Sequence, residues 1–310
     1  MRVLVTGAAG FAGRYLVDEL LSAGHEVFGT HVDPAPRDDA GRIRWVAMDL
    51  ASSASVEEAV RVAAPEGVFH LAAQSSVGHS FRDPLGTWDV NATGTVRLVH
   101  ELRKLERPVR LLFASSAEVY GPVPEEEQPI PESAAVGPRS MYAAAKAAAE
   151  IALRQEGTEG WLDARIARSF NHTGPGQSPT FALPDFARQI RAGPSDAEPL
   201  SLRVGDLSVR RDFLDVRDVV RAYRVIFEKG EPGEVYNVAS GRPRSLRELV
   251  DTLIEVSGRT VEVVPESARM RAIDIPLLAG SAEKLHALGW APAVLIERTL
   301  RDLYASVEEG

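Results

Sequence analysis

Apolar residues in this chain gather in short runs separated by longer stretches with helical spacing. Val3-Leu4-Val5 is the first run and leads into Gly7-Ala8-Ala9-Gly10-Phe11-Ala12-Gly13. A helical pattern then runs from Arg14 to Ala23, and Gly24 closes it, as glycine commonly does at a helix end. His25–Thr30, Ile43–Ala47, Gly67–Leu71 and Arg110–Ala114 are further runs of strand length, with helical segments near Ser55–Ala64 and Thr87–Lys104 between them. Strands alternating with helices predict an α/β fold with a parallel, doubly wound sheet.

Beyond residue 170 the pattern changes. Proline and glycine cluster in Thr173-Gly174-Pro175-Gly176-Gln177-Ser178-Pro179 and in Ala192-Gly193-Pro194, so a second lobe is expected there. Val216–Glu228 is helical in pattern and Glu234–Val238 strand-like, which returns the chain to the first domain. Leu246–Ser257 and Ala282–Leu288 are expected as helices of the lobe. The division predicted is residues 1–170 with about 206–240 in a dinucleotide-binding domain, and about 171–205 with 241–310 in a smaller mixed α/β lobe.

The three glycines Gly7, Gly10 and Gly13 stand between a strand and a helix. One permits the tight turn, one lets backbone approach a pyrophosphate at the helix N-terminus, and one lets helix and strand pack closely. This predicts a Rossmann-like dinucleotide site. At the end of the second strand, where an acidic residue binds the ribose 2′-hydroxyl of NAD, the chain has Gly29-Thr30-His31-Val32-Asp33. With His31 in the acidic place, repulsion against a 2′-phosphate is absent, and Thr30, His31 and Arg37 are candidate contacts. NADP(H) is therefore favoured, with NAD(H) possible.

Tyr142 and Lys146 lie four residues apart in the Ala-rich run Ser140 to Glu150. Such a run has strong helix propensity, and residues i and i+4 share a helix face. A phenol beside an ammonium is expected to have its pKa lowered toward a useful range. Only four of the 35 Lys and Arg residues are lysine, so Lys146 is a rare choice in an arginine-rich chain.

Composition narrows the class. The 310 residues are 45% hydrophobic and 25% charged, ordinary for a globular protein. A net charge of −9 argues against nucleic acid as partner. Without cysteine there is no disulfide, thiolate metal site or cysteine nucleophile. The seven histidines show no metal-ligand spacing, so no metal is expected. No apolar stretch reaches membrane-spanning length. The N-terminal run suits a buried first strand better than a signal peptide, so the cytoplasm is the expected location.

Taken together, these motifs resemble the extended short-chain dehydrogenase/reductase family over essentially the whole chain. The matching pieces are Thr6 to Gly13, Asp49-Leu50, His70-Leu71-Ala72-Ala73, Asn91 to Thr95, Ser115 to Gly121, and Tyr142 with Lys146. The resemblance implies that Ser116, Tyr142 and Lys146 are the catalytic triad, with Glu118 beside them. It implies cofactor contacts from Gly7, Gly10, Phe11, Ala12 and Gly13, from Asp49 and Leu50, from Leu71, Ala72, Ala73, Gln74 and Asn91, and from Tyr142 and Lys146. Hydride transfer between nicotinamide and a carbonyl carbon suits these residue types: a phenol to move the proton and a hydroxyl to orient the oxygen.

Ser169 to Ser178 is similar to the stretch found in GDP-mannose 4,6-dehydratases and GDP-4-dehydro-6-deoxy-D-mannose reductases. That similarity implies a GDP-sugar substrate held by Ser75, Ser116, Asn171, Arg211 and Arg271. Read alone, Arg211 is equally an ion-pair partner for Asp212 or Asp215. Gly13 to Val17, Gly174 to Ser178 and Asp274 to Ser281 resemble the reductases most. Glu118 keeps the 4,6-dehydratase open, since a carboxylate two residues after the hydroxyl can remove a C5 proton. A nucleotide-sugar 4-epimerase and a non-catalytic dinucleotide sensor are further alternatives. In similar proteins Thr87–Lys104 and Tyr142–Arg154 pair in a four-helix bundle, which implies a homodimer.

Overall fold

The structure, a computed structural model, describes residues 1–32, 41–193, 199–269 and 275–307. Its first six strands are β1 (Arg2–Thr6), β2 (Glu26–His31), β3 (Arg44–Ala47), β4 (Gly67–His70), β5 (Val109–Ser116) and β6 (Leu162–Ser169). Then come β7 (Asn171–Thr173), β8 (Leu200–Val204), β9 (Arg210–Asp215), β10 (Val235–Val238), β11 (Pro243–Ser245), β12 (Val261–Pro265) and β13 (Leu277–Leu278). Seven of them form one parallel sheet in the order β10-β6-β5-β4-β1-β2-β3. The order in which strands are added reverses between β1 and β4, the switch point where ligands of doubly wound sheets bind. The α/β fold and its parallel sheet are as the alternating pattern predicts.

Apolar residues cover both faces of this sheet. Val3, Val5, Leu16, Leu20 and Phe227 lie in one buried cluster, and Leu4, Val68, Leu98, Leu111 and Leu153 in another. The helix Ser53–Ala63 begins where Ser52 accepts from the Ser55 N–H at 3.3 Å. The helix Met141–Gly157 begins where Ser140 accepts from Ala143 N–H at 3.1 Å. Such caps satisfy backbone donors that the first helical turn leaves open.

Two departures from the sequence pattern bear on the site. β6 is a strand that the apolar runs do not reveal, because Arg165 and Arg168 interrupt Leu162-Asp163-Ala164-Arg165-Ile166-Ala167-Arg168-Ser169. Both arginines are buried with partners: Arg165 Nε donates to the Gly230 carbonyl at 2.6 Å, and Arg168 pairs with Glu150. The expected helix Thr87–Lys104 is broken into Pro84–Trp88, a π turn Asp89–Thr93, and Gly94–Arg103. The π turn carries Asn91. Such insertions often mark functional sites.

β9 lies between β11 and β13 and also pairs with β7, while β8 pairs with β12. The stretch 210–215 therefore joins a small sheet, and the helix Val216–Lys229 with β10 completes the large one. The lobe has its own core, including Leu183, Phe186, Leu202, Leu249, Leu253 and Leu300.

Candidate active site

A cleft of about 380 Å³ opens at the switch point. One wall is the glycine loop. Gly7 has φ +71°, and a Cβ there would sit 2.9 Å from the Ala72 nitrogen. At Gly13 a Cβ would overlap the Gly7 carbonyl oxygen and sit 2.8 Å from Ala8 Cα. Only backbone crowds these positions, so glycine is required for the loop to fold this tightly. The helix Phe11–Ser22 starts at Gly10 with no side-chain cap and no acidic residue in its first turn. Its N–H groups and dipole form a place for a pyrophosphate, and the residues present fit a dinucleotide.

At the other end of the cleft, β5 delivers Ser116, and a 3₁₀ turn over Ala117–Tyr120 follows it. Ser116 Oγ accepts from Glu118 N–H at 3.2 Å, and both Ser116 and Tyr142 line the cleft. Burial pushes the Tyr142 phenol up to about 12; the Ser116 hydroxyl pulls it down and the Glu118 charge pushes it further up. The structure here corrects the sequence expectation of a lowered phenol. Lys146 Nζ instead donates to the Ala114 carbonyl at 2.7 Å and sits 4.6 Å from the centre of the Phe113 ring. Burial lowers Lys146 to about 7, partly offset by Glu150. Tyr142, Lys146, Ser116 and Glu118 all line the cleft, as do Phe11, Ala12, Leu71, Ala72, Ala73 and Ser75.

Thr30, His31, Asp49, Leu50, Gln74 and Asn91 stand outside that lining. Thr30 is 2% exposed and accepts from Gly7 N–H at 3.1 Å, which ties β2 to the glycine loop. His31 is buried edge-on to Trp45. Asp49 is exposed, with one carboxylate oxygen accepting from Ala51 N–H at 2.9 Å. Leu50 is buried, and its carbonyl accepts from Arg97 at 3.0 Å. Asn91 clamps the loop after β4: its Oδ1 accepts from Gln74 N–H at 2.8 Å and its Nδ2 donates to the Gln74 carbonyl at 2.9 Å. His70 bridges Thr6 and Thr95 at 2.7 and 3.0 Å, and burial, with Lys146 adding, lowers it to about 3. It is a neutral strut. Arg37 lies outside the described residues.

A second cavity of about 650 Å³ continues into the lobe and shares Asn171, His172, Gln177, Thr180 and Phe181 with the first. Arg211 lines it. Asp212 accepts from Ser240 and Gly241 backbone N–H groups, each at 2.8 Å, and Asp215 holds Arg217 at 2.7 Å. Arg211 Nη1 itself donates to the Arg210 carbonyl at 2.9 Å. Arg271 lies outside the described residues. Several contacts went unread in the sequence. His172 stacks on Phe11 with 6.1 Å between centroids, and Tyr15 donates to the Pro175 carbonyl at 2.9 Å. These join the glycine-loop helix to the lobe. Arg82 and Arg269 also line the second cavity, but an arginine in an arginine-rich chain has no sequence signal to set it apart.

Comparison with known proteins places this geometry. The family model for GDP-mannose 4,6 dehydratase matches residues 4–303. The chain is 38% identical over 309 residues to GDP-6-deoxy-D-mannose reductase of Pseudomonas aeruginosa, covering 99% of this chain and 97% of that protein. The structure of RMD from Pseudomonas aeruginosa complexed with NADPH aligns with TM-score 0.86 and 36% identity, covering 99% of this chain and 98% of the other. The UDP-glucose 4-epimerase of Thermus thermophilus, in complex with NAD, aligns with TM-score 0.88 and 33% identity, with the same coverage of 99% and 98%.

Proposed function

The chain belongs to the GDP-mannose 4,6-dehydratase family, within the extended short-chain dehydrogenases/reductases, and from that premise we propose that it reduces the C4 keto group of a GDP-4-dehydro-6-deoxy-hexose. The reaction takes GDP-4-dehydro-6-deoxy-D-mannose, NADPH and a proton to GDP-D-rhamnose and NADP. One observation carries the reading: Tyr142, beside Ser116 and Lys146, lines a cleft that starts at an uncapped, glycine-built helix N-terminus.

When bound, the nicotinamide dinucleotide supplies the hydride. Tyr142 gives its proton to the C4 oxygen, and a phenol held at about 12 keeps that proton until the oxygen becomes a strong base. Ser116 donates to the same oxygen and stabilises its developing charge. Lys146 holds the nicotinamide ribose. Arg211, through its planar fork, and Asn171 take the diphosphate and sugar in the second cavity. The NADPH complex of the Pseudomonas aeruginosa protein and the absence of an acid at His31 support NADP(H) over NAD(H).

Glu118 favours a second reading, the 4,6-dehydratase, because it lines the cleft and its charge acts on Tyr142. The two separate on one variant. For a reductase, Glu118→Gln keeps steady-state NADPH oxidation within about threefold of the parent. If instead GDP-mannose gives a 4-keto sugar with no net cofactor change, and Glu118→Gln lowers that turnover roughly 10²-fold or more, the carboxylate carries an essential proton transfer and the dehydratase is favoured.

The homodimer also belongs to this proposal. Leu85 and Ile151 are 81% and 70% exposed, and Trp88 on Pro84–Trp88 and Val96 on Gly94–Arg103 are exposed as well. On Met141–Gly157, residues 141, 144, 148 and 151 share one helix face. Apolar surface of this kind marks an interface. Light scattering is expected to give a mass of two chains, and a mass of one chain at micromolar concentration would remove the bundle.

A further inference from the structure

Behind the catalytic group lies an ion pair that the proposed chemistry does not use. Glu150 and Arg168 are each 4% exposed. Arg168 Nη2 donates to Glu150 Oε2 at 2.7 Å, and its Nε lies 3.1 and 3.2 Å from the two carboxylate oxygens. The guanidinium covers the Tyr120 ring at 4.7 Å, and Tyr120 donates to Asn237 at 2.7 Å. Ser115 donates to the same carboxylate. Burying such a pair costs desolvation, and an apolar pair of equal volume is often as stable. Its location is informative. Glu150 follows Lys146 by one helical turn on one face. Ser115 stands between Ala114, whose carbonyl takes the Lys146 ammonium, and Ser116.

We propose that Glu150 is a positioning residue, which with Arg168 and Ser115 fixes the charge of Lys146 and the end of β5 that carries Ser116. The charged and titratable groups around Lys146 are Tyr142 and Glu150 on its helix, His70 on β4, Glu118 after β5 and Arg168 on β6. His70 and Tyr142 are uncharged at working pH. Arg168 is tied to Glu150, and Glu150 is the group that opposes the effect of burial on Lys146. A carboxylate that favours the ammonium keeps it charged to higher pH.

The inference rests on Lys146 holding the dinucleotide, so the test measures NADPH affinity by calorimetry from pH 6 to 9, beside the pH profile of kcat/KM. In the parent, affinity falls as pH rises and Lys146 loses its proton. Glu150→Gln is expected to move that fall about one pH unit lower, and to add nothing in a Lys146→Met background. Glu150→Asp keeps the charge but withdraws it, and should show a smaller shift in the same direction, which serves if Glu150→Gln does not fold. An unshifted profile, or equal losses with and without Lys146, overturns the proposal and leaves the pair structural. If Lys146→Met itself binds NADPH like the parent at every pH, the role given to Lys146 fails instead.

Discussion

Tyr142→Phe is expected to lower turnover about 10³-fold while leaving NADPH affinity within about twofold. The ring is 9% exposed and phenylalanine fills the same space, so packing survives. What disappears is one hydroxyl in the cleft. The stability cost of losing that hydroxyl is about 1 kcal/mol, small beside the kinetic effect. The loss should fall on kcat and kcat/KM alike, because the proton moves only in the transition state. Stopped-flow reduction by NADPH measures it. Turnover within tenfold of the parent would take the acid role away from Tyr142.

Gly13→Ala has the next largest expected effect, on cofactor binding and not on chemistry. The added Cβ meets the Gly7 carbonyl oxygen and Ala8 Cα, and neither can rotate away. The helix must shift from the strand, which removes the N-terminal N–H groups from the pyrophosphate position. Overpacking of this kind costs about 1–3 kcal/mol, and NADPH affinity is expected to fall roughly 10²-fold. Gly10→Ala is the control, since a Cβ there would sit 3.1 Å from the Gly7 oxygen, which a small adjustment relieves. Equal effects at the two positions, measured by NADPH titration, would mean the loop does not act through close packing.

The same contrast explains what was legible in the sequence. Glycines required by backbone crowding leave a local trace, and so does a Tyr–Lys spacing on one helix. Gly7, Gly13, Tyr142 and Lys146 were therefore readable, and the structure brings them to one cleft. Long-range electrostatics leaves no such trace. The effect of Lys146 on Tyr142 was inferred from spacing, but the ammonium bonds Ala114 on a different element, and burial dominates the phenol. Asn91 and Thr30 carry the right chemistry for ligand contact, yet both spend it on backbone groups of neighbouring loops. β6 escaped notice because its arginines meet partners distant in sequence, Gly230 and Glu150. An interior strand with paired charges looks like a surface segment until its partners are known.

The central claim is net reduction at C4, and one paired assay tests it. Supply GDP-4-dehydro-6-deoxy-D-mannose with NADPH, and separately GDP-mannose with NADP, and follow nicotinamide absorbance and the sugar product. The account predicts loss of one NADPH per C4 alcohol formed in the first and no product in the second. A 4-keto sugar made from GDP-mannose with no net change in the cofactor would contradict it.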